Sequence, residues 1–363
     1  MKLLVVFGLF FLFACNSNSN LNKKEEIDLD YVKSSKKIQT ILSRYEEKSQ
    51  FFSVQISKPS EIVGKNGTVI KINPNDLVCE DGSKLGNNIQ VELKELMNQK
   101  QLLFSSAQTI SDGKLLESGG AYFINLTSDN KQLKLKESKT LAVNFPIINS
   151  KKMELFYGEK DSLNNMNWNK TGENFTKNSK DIVSNKKQVV DKLESDQTNN
   201  QNDIDAMFDY VDNQKFEDLT VEEQKEITQK NKNDELTDKT YKSIELKKFG
   251  WINCDYFLDS DNKGLISLNF KPKKNNEFLN VYILFSDINC VLTDYHCIQK
   301  NKNSMYKNDK IPFGKTFTVI VLGYVENKLL AFKKKLKFDK NITVNVDLNE
   351  INESKLQDLF NQD

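Results

Sequence analysis

Apolar positions along the chain change their spacing several times, and each change marks an element. Residues 35–50 place Ile38, Ile41, Leu42 and Tyr45 at i, i+3, i+4 and i+7, one stripe of an amphipathic helix that would dock on the strands after it. From about Phe51 to Tyr157 the period drops to two. Ile89, Val91 and Leu93 alternate with Gln90, Glu92 and Lys94, Tyr122, Ile124 and Leu126 with Phe123 and Asn125, and Leu141, Val143 and Phe145 repeat the pattern. Asn66-Gly67, Asn73-Pro74-Asn75-Asp76, Asp81-Gly82, Asp112-Gly113 and Gly119-Gly120 separate the runs, and these residue types tolerate turn backbones. Short strands between regular turns predict an antiparallel sandwich over residues 35–158, helix included.

Residues 159–240 lose this regularity. Asn178 to Asn213 is rich in Lys, Asp, Asn and Gln, which predicts a polar linker or insertion, partly disordered. Within it, Thr220 followed by Glu223 forms a capping box and predicts a helix near 220–231. Alternation returns at 241–350: Leu265, Ser267 and Asn269 against Ile266, Leu268 and Phe270, then Val281-Ile283-Phe285, Phe317–Val321, Leu330–Phe338 and Ile342-Val344-Val346-Leu348. A second sandwich is expected there, with a C-terminal helix over 351–363. The fold class is therefore mainly β: two antiparallel β-sandwich domains, a short N-terminal helix, and a polar, partly helical or disordered insertion between them.

The N-terminus sets the expected compartment. After Lys2, the run from Leu3 to Ala14 is apolar apart from Gly8. A dozen helical residues span roughly 18 Å against a hydrocarbon core of about 30 Å. That is short for a membrane span and has the proportions of a signal-peptide apolar region, over residues 1–14. The run ends Leu12-Phe13-Ala14-Cys15, which resembles the bacterial lipobox. In that family the cysteine takes a diacylglyceryl thioether and becomes the first residue, so the resemblance implies lipidation of Cys15. Several acyl chains hold firmly where one is marginal, at about 0.8 kcal/mol per buried methylene. Asn16-Ser17-Asn18-Ser19-Asn20 opens a polar stretch that reads as a flexible tether over 15–34. Lys23-Lys24-Glu25-Glu26 resembles the charged surface-export signals of Bacteroidota lipoproteins. The expected location is the outer membrane, lipid-anchored, facing the periplasm or the cell surface.

A further resemblance lies in Gly67-Thr68-Val69-Ile70-Lys71-Ile72-Asn73-Pro74, Ile89-Gln90-Val91-Glu92-Leu93-Lys94-Glu95 and Leu115-Leu116-Glu117-Ser118-Gly119-Gly120-Ala121-Tyr122-Phe123. These are similar to a sandwich of Bacteroidota lipoproteins and, more distantly, to the β-sandwich of ankyrins and netrin receptors. The resemblance covers about a hundred residues and rests on turns and strand patterns. It implies an interaction module, and no functional residue carries over. The second block resembles the transthyretin-like or immunoglobulin-like modules of bacterial surface proteins, at fold level only.

Composition narrows the chemistry. Fifty-two basic residues balance 51 acidic ones for a net charge of +1, so no global field favours nucleic acid. Arg44 is the single arginine, which disfavours surfaces built on bidentate guanidinium contacts. His296 is the single histidine, so a multi-histidine metal centre is impossible and any triad would need that residue as base. Besides Cys15 the cysteines are Cys79, Cys254, Cys290 and Cys297. An exported compartment permits a Cys290–Cys297 bridge across a small loop, a pairing of Cys254 with either, or free buried thiols. His296 and Cys297 are adjacent and would diverge on a strand, so with Cys254 they make a poor zinc or thiol-catalytic set. Asp259-Ser260-Asp261-Asn262-Lys263-Gly264 resembles the opening of a calcium loop, but Lys263 occupies a ligand position and Phe270 stands where the bidentate glutamate belongs; a hairpin turn is the simpler reading.

Trp168 and Trp251 could stack on sugars, but core or interdomain packing is the better explanation of both. Asp161-Ser162-Leu163 resembles the O-glycosylation motif of Bacteroidota exported proteins and marks Ser162 as an acceptor. No cofactor or metal motif is present. The function expected is a non-enzymatic interaction or structural module of the envelope, attached to the membrane through its lipid and facing envelope proteins or glycans. The alternative is an envelope hydrolase acting on glycan or peptidoglycan through paired carboxylates.

Overall fold

A computed structural model describes residues 29–149, 151–161, 164–177, 239–258, 262–271, 277–298 and 304–361. Over these residues the chain is mainly β, built from antiparallel sheets with a short N-terminal helix. That helix, α1, runs Leu29–Ser43, so it begins inside the stretch expected to be tether. Its predicted stripe is the buried one: Ile38, Ile41 and Leu42 are almost fully enclosed, and Tyr45 packs beside them.

The first sandwich contains β1 (Gln50–Gln55), β2 (Ser60–Val63), β3 (Val69–Ile72), β4 (Leu77–Cys79) and β5 (Asn88–Leu96), then α2 (Gln99–Phe104), whose first turn is capped by Asn98 Oδ1 accepting from Gln101 N at 3.0 Å. It continues with β6 (Ile110–Ser111), β7 (Lys114–Ser128), β8 (Lys131–Leu135), β9 (Leu141–Asn144), β10 (Glu154–Lys160), β11 (Met166–Asn174), β12 (Ile244–Leu246) and β13 (Gly250–Phe257). The large sheet is ordered β1-β5-β7-β13-β10-β11, and the facing one β12-β9-β3-β2. The period-two residues Ile89, Val91, Leu93, Ile124, Leu126 and Val143 are fully buried between them. Gly120, at φ +116°, must be glycine: a Cβ there would fall 2.6 Å from Tyr122 Oη.

Membership of this sandwich departs from the expected boundaries. Met166–Asn174 lies in the region expected to be linker, yet it pairs with β10 along its length. Alternation places Ile244–Leu246 and Gly250–Phe257 in the second sandwich, yet they pair with β9, and with β7 and β10. The reason is physical: local alternation reports that a segment is a strand, while the sheet it joins is set by long-range pairing. The helix expected near 220–231 lies outside the described residues.

The second sandwich comprises β14 (Lys263–Phe270), β15 (Glu277–Phe285), β16 (Val291–Ile298), β17 (Met305–Pro312), β18 (Lys315–Val325), β19 (Lys328–Phe338), β20 (Ile342–Val346) and β21 (Asn349–Ile351). Its sheets are β17-β14-β20 and β16-β15-β18-β19-β21. One pair departs from the antiparallel expectation, β14 with β20, which run parallel. The predicted C-terminal helix shortens to a turn followed by α3 (Leu356–Leu359), after β21 has used the preceding residues.

A third core joins the sandwiches. Tyr282, Leu284, Ile320 and Leu322 on the outer face of the five-stranded sheet meet Leu116, Phe156 and Trp168 from the large sheet, with α1, α2 and α3 wedged between. Backbone hydrogen bonds run across the seam: Ser118 N to Asn289 O at 2.8 Å and Thr109 N to Val291 O at 2.9 Å. The helix α1 therefore docks mainly on the second sandwich rather than on the strands that come directly after it in sequence.

Candidate functional site

Cys15 and Ser162 lie outside the described residues. The Cys290–Cys297 bridge is corrected by the structure. Cys290 immediately precedes β16 and Cys297 sits near its far end, seven residues along an extended strand. At about 3.3 Å per residue that is roughly 23 Å, against the ~4–7 Å between Cα atoms that a disulfide allows. No disulfide joins Cys79, Cys254, Cys290 and Cys297. Cys290 is fully buried, 3.3 Å from Thr109 Oγ1, and burial pushes its thiol up to about 12.

His296 and Cys297 do point to opposite sides of β16. His296 turns inward, stacked on Phe270 and edge-on to Tyr306, and Cys254 lies in the core of the other sandwich. Among the described residues no group of three His, Cys, Asp or Glu side chains is placed to hold a metal ion. Phe270, at the position a calcium loop would give to its glutamate, is a core residue. Trp168 is fully buried with Nε1 donating to Gln108 O at 2.7 Å. Trp251 lies between Phe123, at 5.3 Å, and the Lys160 ammonium, at 5.1 Å. Both tryptophans are engaged in packing.

Three polar clusters that local patterning did not single out come from cross-strand pairing. In the first, Ser118, Asn253 and Asp255 share one face of β7 and β13 and are almost fully enclosed. Ser118 Oγ donates to Asn253 Oδ1 at 3.1 Å, and Asn253 Nδ2 to Asp255 Oδ2 at 2.5 Å. Burial holds the Asp255 carboxyl well above the usual carboxylate range, against the hydrogen bonds from Ser118, Asn253 and the Gly119 N–H.

On the opposite face Tyr256 Oη donates to Glu117 Oε2 at 2.6 Å and Lys151 Nζ to the same oxygen at 2.8 Å, with Lys151 also reaching Tyr256 Oη. Burial works against the charge on Lys151, but Glu117 and Tyr256 outweigh it and hold the amine above its ordinary value. Burial, then Glu117, raises Tyr256. Glu117 and Asp255 thus face apart, and the carboxylate that stands across from Asp255 in the register, Glu154 on β10, is paired with Lys170 at 2.5 Å.

The third cluster lies at the edge of the second sandwich. Tyr306 Oη donates to Asp294 Oδ2 at 3.0 Å, and Asn308 Nδ2 donates to Tyr306 Oη at 3.1 Å. Burial raises Asp294 and lowers His296 to about 4.

An accessible concavity lies elsewhere, along the four-stranded sheet. It is an open groove of about 260 Å³ with the side chains of Ser60, Lys71, Asn73, Asp76, Thr140 and Glu245 around it. Leu135 and Ala142 give it a partly apolar lining, while Ile72 and Leu77 at its border are core residues turned inward. The register explains the hollow: Ala142 stands across from Lys71 on one side and from Glu245 on the other, so a methyl group separates two long polar side chains. Glu245 Oε2 accepts from Thr140 Oγ1 at 2.6 Å, and Asp76 pairs with Lys139 at 3.1 Å. Outward-facing Lys71 and Glu245 were legible as polar positions of alternating strands; their adjacency required the register.

No family model, curated protein or solved structure matches the chain.

Proposed function

We propose that the protein is an exported outer-membrane lipoprotein, held by acyl chains on Cys15 and facing the periplasm or the cell surface. In this reading it works without catalysis, as an interaction or structural module for envelope proteins or glycans. The observation that carries it is Leu12-Phe13-Ala14-Cys15 at the end of a short apolar leader and before a polar stretch. Two structural facts support the module part. The shared core and the seam of backbone hydrogen bonds make one body of the two sandwiches, suited to presenting a surface. Two of the polar clusters fit this reading: Lys151 and Tyr256 both hold their protons more tightly than usual, the opposite of a base tuned toward neutral pH, and Asp255 is sealed from solvent.

The anchor is tested by changing Cys15 to Ser and fractionating cells. The parent chain should pellet with membranes and carry acyl groups in its N-terminal peptide by mass spectrometry; the variant should do neither. A parent chain that keeps its leader and stays in the cytosol refutes the reading. The module is tested by incubating the purified protein with envelope extract, where retention of no protein or glycan counts against it.

A further inference from the structure

The groove on the four-stranded sheet has a chemistry of its own. Its volume, about 260 Å³, falls just below the ~300–1,000 Å³ of sites for drug-sized ligands and suits one small ring rather than a chain. Its rim offers carboxylate acceptors from Asp76 and Glu245, donors from Lys71 and the Asn73 amide, and hydroxyls from Ser60 and Thr140. A ligand that meets all of these must donate and accept at several points around one ring. The Thr140 hydroxyl has already given its proton to Glu245, so it is left to accept. The partly apolar lining around Ala142 calls for a C–H face on the same ligand.

Charge narrows the class further. The ammonium of Lys139 is paired with Asp76, and Lys71 stands across Ala142 from Glu245. Lys71 and Lys139 offset Asp76 and Glu245, and Lys136, bound to the Asn75 carbonyl at 2.7 Å beside them, leaves at most a weak positive field. Lys71 makes no hydrogen bond or ion pair with another described residue, so its donors are available to a ligand. We propose that this groove binds one neutral hexopyranose unit of an envelope glycan. The inference deepens the non-catalytic envelope reading and rests on it for the source of the sugar. No aromatic platform lines the groove among the described residues, so affinity comes from polar contacts and should be in the millimolar range, about 4 kcal/mol at ~1 mM.

Saturation-transfer NMR on the full chain in a sugar-free detergent tests this, with glucose, galactose, mannose and N-acetylglucosamine as probes and glucuronate and glucosamine as charged comparators. At least one neutral sugar should receive saturation on its ring protons with half-saturation near ~1 mM. Lys71→Met and Ala142→Leu, which respectively remove the free donor and fill the hollow, should weaken binding about tenfold or more, with unfolding midpoints within a few degrees of the parent. If Ala142→Leu fails to fold, Lys71→Met decides. The proposal is overturned if no neutral sugar responds at about 10 mM, ten times the expected constant. It is equally overturned if the charged comparators bind while the neutral sugars stay silent, or if the folded variants bind as the parent does. The measurement needs neither acylation nor a partner, so a negative result removes the sugar site while the Cys15 fractionation stands or falls separately.

Discussion

The shared core between the sandwiches should govern how the molecule unfolds, and Phe104 is the place to test it. Its ring is 3% exposed, stands edge-on to Phe360 with centroids 5.3 Å apart, and tilts against Tyr45 at 5.8 Å. It thus ties α2 to the chain on either side of it, near residue 45 and near residue 360. Truncating an enclosed phenylalanine costs about 3–5 kcal/mol, of which the edge-to-face pair accounts for roughly 0.5–1.5. For a body of this size, Phe104→Ala should therefore lower the unfolding midpoint by roughly 6–20 °C.

Phe338→Ala is the matched comparison, because Phe338 is fully buried in the second sandwich's own core. Calorimetry of the parent should give one transition whose measured enthalpy equals the van 't Hoff value. Phe338→Ala should shift that transition intact, while Phe104→Ala should broaden or split it. Trp168 and Trp251 both pack on the shared core, so their fluorescence reports the junction while calorimetry reports the whole. Two separate peaks in the parent, or a Phe104→Ala shift below about 2 °C, would refute the coupling.

Three further outcomes rest on particular side chains. The buried Glu95 carboxylate accepts from Thr68 Oγ1 at 2.6 Å, Thr68 N at 3.2 Å, Asn66 N at 3.0 Å and Gln50 Nε2 at 2.8 Å; Glu95→Ala strands these donors and should cost about 3 kcal/mol or more in urea unfolding, and a loss under 1 kcal/mol would show the hub to be dispensable. His296 holds its proton less tightly in the folded chain, near 4 against 6.5, so stability should fall as pH drops from about 6.5 toward 4, by about 2–3 kcal/mol, and His296→Phe should flatten that slope in urea titrations; an unchanged slope contradicts the burial account. Thiol labelling of the native protein should leave Cys290 unreacted until the chain unfolds, and peptide mapping without reductant should find no Cys290–Cys297 link; such a link would overturn the strand geometry of β16.

Much of the architecture was legible because burial imposes local periods. Ile38, Ile41 and Leu42 face a core because a helix repeats every 3.6 residues, and Ile89, Val91 and Leu93 because a strand repeats every two. Partnership was not legible. Trp251 and Ile252 serve different cores from adjacent positions, and nothing in the segment says that β7 and β10 flank it. The strand Met166–Asn174 was hidden because its outward positions, Lys170, Gly172 and Asn174 among them, read as polar chain. Cys290 and Cys297 looked close because sequence distance is short, while an extended backbone carries them apart. The groove escaped for the same reason as the buried Asp255 network: both are products of register, with Ala142 beside Lys71 and Asp255 beside Ser118.

The order of strands in the large sheet carries a consequence for biogenesis. β13 is central, hydrogen-bonded to β7 on one side and β10 on the other, yet it is the last of the six main strands to leave the ribosome or a translocation pore. Until Gly250–Phe257 emerges, the β10–β11 hairpin has no main-chain connection to β1, β5 and β7 within the sheet, and the apolar flank of β7 is an open edge. Such edges recruit other chains. A protein of this topology completes its first sandwich only once Gly250–Phe257 has emerged, so holding that edge in a soluble state until then falls to whatever accompanies the growing chain.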